Sequence, residues 1–131
     1  MSHLALVTLV VDDYDRAIGW FQTALDFRLV EDVPSLTDDG RPKRWVVVAP
    51  KSGGCAILLA RADGQAQADR IGDQTGGRVG FFLHSDDYQA DYGRMIAAGV
   101  RFEEAPRETE YGRVAKFRDL WGNRWDLWQR K

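Results

Sequence analysis

The chain has 131 residues, of which 44% are hydrophobic, and a formal net charge of −2. That length suits a single domain with a substantial core, and that balance is foreign to a disordered chain. No Lys/Arg stripe is present, so neither nucleic acid nor an anionic membrane surface is an expected partner. The N-terminus has no basic n-region, no apolar run reaches membrane-spanning length, and a lone cysteine, Cys55, cannot form an internal disulfide. A cytoplasmic location is the expectation.

The first element is an apolar run over residues 4–11, closed by Asp12-Asp13-Tyr14. Tyr14, Ile18, Phe21 and Leu25 then recur at helical spacing, and the aspartates ahead of them suit the helix start. Asp26 stands where a left-handed stop is expected, which a glycine would fill with less strain. Residues 27–30, 45–48 and 56–59 read as strands, with 34–42 as a hairpin loop around Asp39-Gly40. Cys55 reads as a buried thiol rather than a nucleophile.

A polar, Gly-rich stretch (62–77) separates this half from a second one that reads alike. Residues 79–83 are apolar, and Asp86-Asp87-Tyr88 leads into a stripe of Tyr88, Tyr92, Met95 and Ile96. Gly99 supplies the helix stop, and residues 100–102, 114–117 and 125–128 read as strands, with Gly122-Asn123 as the turn before the last. The Asp-Asp-Tyr triplets and the glycines Gly19 and Gly93 share one offset of 74 positions (12 to 86, 19 to 93). The order strand, helix, three strands therefore occurs twice. This predicts an α+β domain over 1–131, with module one about 1–64, a linker about 65–76 and module two about 77–131.

The opening stretch, residues 6–18, and the closing Phe117-Arg118-Asp119-Leu120-Trp121-Gly122-Asn123-Arg124-Trp125-Asp126-Leu127 resemble the vicinal oxygen chelate superfamily. Its members include glyoxalase I, extradiol dioxygenases and bleomycin-resistance proteins. The resemblance implies two βαβββ modules forming curved mixed sheets around a cleft, and a homodimer. Metal-binding relatives hold a divalent ion with four His or Glu side chains, two per module. Those positions fall on Leu6, Leu58, Arg78 and Asp126 here. Leucine offers no lone pair and arginine keeps a positive charge, so no metal cofactor is expected. His3 lies at the wrong strand parity, and His84 is about 20 Å along an extended strand from Arg78.

Strand alternation puts other side chains on the same faces: Thr8 with Leu6, Phe82 with Arg78, and Trp128 with Asp126. Arg78 and Asp126 are expected to pair where the ion would sit, either presenting a fork to an anionic ligand or merely filling the cavity. Of the five tryptophans, Trp20 and Trp125 read as packing residues, while Trp128 suits either an aromatic wall or the core. Tyr111 stands before the seventh strand, where relatives border their substrates. Residues 74–77 lead into Arg78 but lack the spacing and lysine of a phosphate loop. Two functions follow. One is a protein that binds a small organic molecule in its cleft without chemistry. The alternative is a lyase or oxidoreductase of the glyoxalase or dioxygenase type with a divergent or metal-free site.

Overall fold

The opening apolar run folds as β1 (Leu6–Val11), and Asp13 then caps α1 (Tyr14–Ala24) by accepting a 2.8 Å hydrogen bond from the Arg16 amide. Tyr14, Ile18 and Phe21 are buried along the helix, as the spacing predicts. The computed structural model describes all of residues 1–131 and divides into two units, Met1–Ile71 and Gly72–Lys131. In the first unit α1 is followed by β2 (Phe27–Leu36), β3 (Pro42–Pro50), β4 (Ala56–Arg61) and a short helix α2 (Gln65–Ala68). The sheet order is β1-β4-β3-β2, with β1 and β4 parallel and the other pairs antiparallel.

Three expectations need correction here. Pro34 does not open a loop, because β2 continues to Leu36 and pairs Pro34 with Arg44. A proline is tolerated because β2 is the edge of its sheet, where one side of the strand needs no ladder partner. Cys55 is exposed rather than buried: β4 begins only at Ala56, so strand parity does not extend to it. The stretch expected as a linker contains α2 within the first unit.

The second unit repeats the plan. β5 (Val79–His84) leads to α3 (Tyr88–Ala97), where Asp87 caps the start through the Ala90 amide at 3.2 Å. The remaining strands are β6 (Arg101–Phe102), β7 (Arg107–Thr109), β8 (Gly112–Arg118) and β9 (Arg124–Arg130). The strand expected over 100–102 is β6, while β7 is a further strand that the sequence reading does not foresee; both pair with β8, and the sheet reads β5-β9-β8-β6 with β7 beside it. Each sheet is mixed and buries one face. Leu9, Val46, Val48 and Leu59 are sealed in the first unit, and Ala115, Phe117, Trp125 and Leu127 in the second. Trp125 packs as expected, stacking on Phe81 at 4.5 Å and donating its indole N–H to Asp119 at 3.0 Å. No helix is long and apolar enough to cross a membrane.

Candidate ligand-binding site

The second face of each sheet carries the residues singled out above. In the first unit, β1 and β4 run in register with Leu6 opposite Ala56 and Thr8 opposite Leu58. Leu6 and Leu58 are half-buried, and Thr8 is exposed. Val47 of β3 adjoins Leu58. Leu58 also lines a cavity of about 470 Å³ with Tyr14, Lys43, Trp45, Ala60 and Arg61. That volume lies within the range of small-molecule sites.

Charge and aromatic character meet at this cavity in a way the sequence did not reveal. The Arg44 and Arg61 guanidinium groups stand 5.1 and 5.0 Å from the Tyr14 ring centre, both at cation–π distance. Arg44 is held by Asp32 at 2.7 Å and by Asp15 at 2.9 Å, and Arg41 reaches Asp63 at 2.8 Å. Arg44 keeps Asp32 below the ordinary carboxylate range, against the opposing effect of burial. Trp45 donates its indole N–H to Glu31. Nothing in the linear pattern announces that Tyr14, Arg44 and Arg61 converge, because that depends on which ends of β3 and β4 adjoin the helix start.

In the second unit the register sets Phe82 opposite Asp126 and His84 opposite Trp128, with Lys116 of β8 on the other side of Asp126. Phe82 is 65% exposed, a large apolar ring left in solvent. Trp128 is half-buried, with His84 edge-on at 5.6 Å and Arg130 over its ring at 4.9 Å. Between Phe82 and Lys116, one carboxylate oxygen of Asp126, Oδ1, is sealed from solvent and has no hydrogen-bond partner. Burial pushes the Asp126 carboxyl above its ordinary pKa; nearby Lys116 works the other way, and Glu104 adds to the rise.

The expected Arg78–Asp126 pair does not form. Arg78 precedes β5, four residues before Phe82, the residue that the β5–β9 register sets opposite Asp126. Gly80 sits where that register shifts, between Val79 and Phe81, and an added Cβ there would come within 2.7 Å of the Thr75 methyl. Thr75 donates its hydroxyl to the Arg78 carbonyl, which folds residues 75–78 back onto the strand. Arg78 lines a separate small recess with Arg118 and Arg124. Tyr111 is 72% exposed at the tip of the β7–β8 hairpin, beyond the last register pair, Thr109 and Gly112.

Leu6, Leu58, Arg78 and Asp126, the positions the resemblance assigns to metal ligands, do not form a ligand set. Leu6 and Leu58 have no donor atom, Arg78 is cationic, and Asp126 offers one carboxylate. No three His, Cys, Asp or Glu side chains are grouped as a metal site requires.

The sequence model of the Glyoxalase/Bleomycin resistance protein/Dioxygenase superfamily matches residues 2–127. An uncharacterized protein of Shewanella frigidimarina (strain NCIMB 400) is 50% identical over 124 residues, spanning 94% of this chain and 90% of that protein. The crystal structure of TnmS3, an antibiotic binding protein from Streptomyces sp. CB03234, is 29% identical and superposes with a TM-score of 0.76, over 100% of this chain and 98% of that one. A glyoxalase/bleomycin resistance protein from the same Streptomyces strain is 30% identical, with a TM-score of 0.72 over 97% of this chain and 100% of that one. With a family match across nearly its whole length, the chain belongs to the glyoxalase/bleomycin resistance protein/dioxygenase superfamily.

Proposed function

We propose that the protein binds a small organic molecule on the open sheet face of its second unit, without a metal cofactor. The observation that carries this reading is the sealed, unpartnered Oδ1 of Asp126 beside the solvent-exposed Phe82 ring and half-buried Trp128. A buried acceptor with no partner costs stability, and an apolar ring in water gains nothing, so both groups are better satisfied by an occupant. That occupant is a flat or extended apolar molecule with a hydrogen-bond donor. On the first unit's own sheet, Leu6 and Leu58 form a second apolar patch with Thr8 beside it, next to the charged and aromatic cavity that Leu58 lines. The likeness to an antibiotic binding protein at 29% identity supports the same class of ligand.

A panel of aromatic antibiotics titrated against intrinsic tryptophan fluorescence tests the proposal. Saturable quenching is expected, weakened about tenfold or more by Trp128→Ala and by Asp126→Asn. Quenching that neither substitution changes would remove this face from the site. A lyase- or oxidoreductase-type reaction is the second reading, favoured by the raised Asp126 pKa, which suits a general acid. Mass spectrometry of a bound compound after prolonged incubation separates the two, since a binding protein returns it unchanged.

We also propose a homodimer. Leu29, Val33 and Leu36 are exposed along the edge strand β2, an apolar margin that a second copy can cover. Light scattering coupled to size exclusion is expected to give twice the 14.8 kDa chain mass. A monomer at every concentration would contradict it.

A further inference from the structure

We propose that the recess at the start of the second unit is an oxyanion site, built by Arg78, Arg118 and Arg124 and taking phosphate, free or as a monoester. The recess measures about 140 Å³ and is lined by these three arginines with Thr75, Gly77 and Asn123 among others. That is well below the volume of a drug-sized site and suits a small anion.

The positions of the cations are fixed by the sheet. Arg118 and Arg124 are direct cross-strand partners on β8 and β9, an arrangement that like charges disfavour. Glu103 relieves part of that repulsion by pairing with both, at 3.1 Å from the Arg124 Nε and through the Arg118 Nε. Each guanidinium is further anchored by a backbone carbonyl: Arg124 Nη1 donates to Gly77 at 3.0 Å and Arg118 Nη1 to Gly122 at 3.0 Å. A guanidinium has five N–H donors, so both arginines keep donors beyond those anchors. Arg78 makes no ion pair at all, although Asp73 also borders the recess. Three guanidinium groups thus face one bridging carboxylate and one aspartate. Arg118 and Arg124 are held in place by Glu103 and the two carbonyls, while the exposed Arg78 brings a charge that no ion pair neutralises.

The loop that completes the recess has the close packing such a site needs. Asn123 is buried and its side-chain carbonyl accepts from the Gln74 amide at 3.1 Å, which ties residues 72–77 to the β8–β9 turn. Gly72 approaches so closely that an added Cβ would lie 2.1 Å from the Trp121 carbonyl oxygen. This site is separate from the Phe82–Asp126–Trp128 face and stands whether or not that face takes an organic molecule.

The test uses the full chain with inorganic phosphate and phenyl phosphate as probes, read by amide and arginine side-chain NMR shifts at constant ionic strength. Saturable shifts confined to residues 72–78, 118 and 122–124 are expected with phosphate and absent with equivalent chloride. Arg78→Gln, a change at an exposed residue without an ion pair, should weaken phosphate about tenfold and leave the remaining spectrum in place. Arg124→Gln should do the same, with further shifts at Glu103. Binding of phenyl phosphate as tight as phosphate identifies the anion as one end of a larger molecule, whereas phosphate alone identifies a free ion. No saturable shift, an equal response to chloride, or undiminished affinity in Arg78→Gln would overturn the proposal.

Discussion

Two buried oxygens without partners, Asp126 Oδ1 and the Tyr88 hydroxyl, occupy opposite faces of one sheet. Tyr88 opens α3 and burial pushes its hydroxyl up to about 12, while its repeat partner Tyr14 is satisfied by the Arg44 amide at 3.2 Å. Asp126 lies on the open face, where its cost has a functional reading. Its folded pKa is raised, so between the ordinary carboxylate value and that raised value the folded state holds a proton the unfolded chain has lost. Stability therefore falls as pH rises through that window, and the cost is complete above it. Asp126→Leu should raise stability by about 1 kcal/mol at pH 7, with the gain shrinking towards pH 4, in denaturant melts followed by circular dichroism. The same substitution should abolish ligand binding. A stability loss at pH 7 would show that the carboxylate has a structural partner. Asp26 offers a second case: it is the one non-glycine residue with a left-handed backbone, at φ 56°, where the second module has Gly99 at φ 84°. Its carboxylate reaches Lys51 at 2.7 Å, an exposed pair of small worth. Asp26→Gly should be neutral to about 1 kcal/mol stabilising, and Asp26→Val should cost about 2 kcal/mol, because a β-branched side chain fits that conformation poorly.

At the scale of elements, the helices were the most legible part of the sequence. Asp13 and Asp87, 74 positions apart, each cap a helix through the amide three residues on. Replacing either with alanine should cost about 1 kcal/mol in thermal or denaturant unfolding, and an unchanged midpoint would show that the cap is dispensable. The strands were legible as apolar runs, but their ends were not. The loop expected over 34–42 is shorter than its turn residues suggest, because an edge strand tolerates the donor that Pro34 lacks. Cys55 was assigned to the core by extending alternation one residue beyond where β4 begins. The Arg78–Asp126 pair failed for a related reason. Alternation gives the face of a strand but not its register, and the register sets Phe82 opposite Asp126, leaving Arg78 four residues away beside the arginine recess.

At the scale of the whole chain, the duplicated βαβββ order was visible because the Asp-Asp-Tyr triplets and the helical stripes repeat together. The two mixed sheets and the family match over residues 2–127 agree with that reading. The composition of the open faces was legible too: Phe82, Asp126 and Trp128 do share one face, and Leu6 and Leu58 share another. The cavity beside Leu58, with Tyr14 flanked by Arg44 and Arg61, was not, because it requires the pairing of strands with a helix start. The chain keeps the superfamily's fold, and on the function proposed above it binds an organic molecule with no metal to anchor it. Calorimetric titration of the tightest compound from the antibiotic panel, in excess chelator and again with Mn, Ni and Zn ions, tests that claim. Near-stoichiometric binding with the same affinity, within about twofold, is expected in all these conditions. Affinity lost in chelator and restored by one of the ions would contradict it and return a metal to the centre of the site.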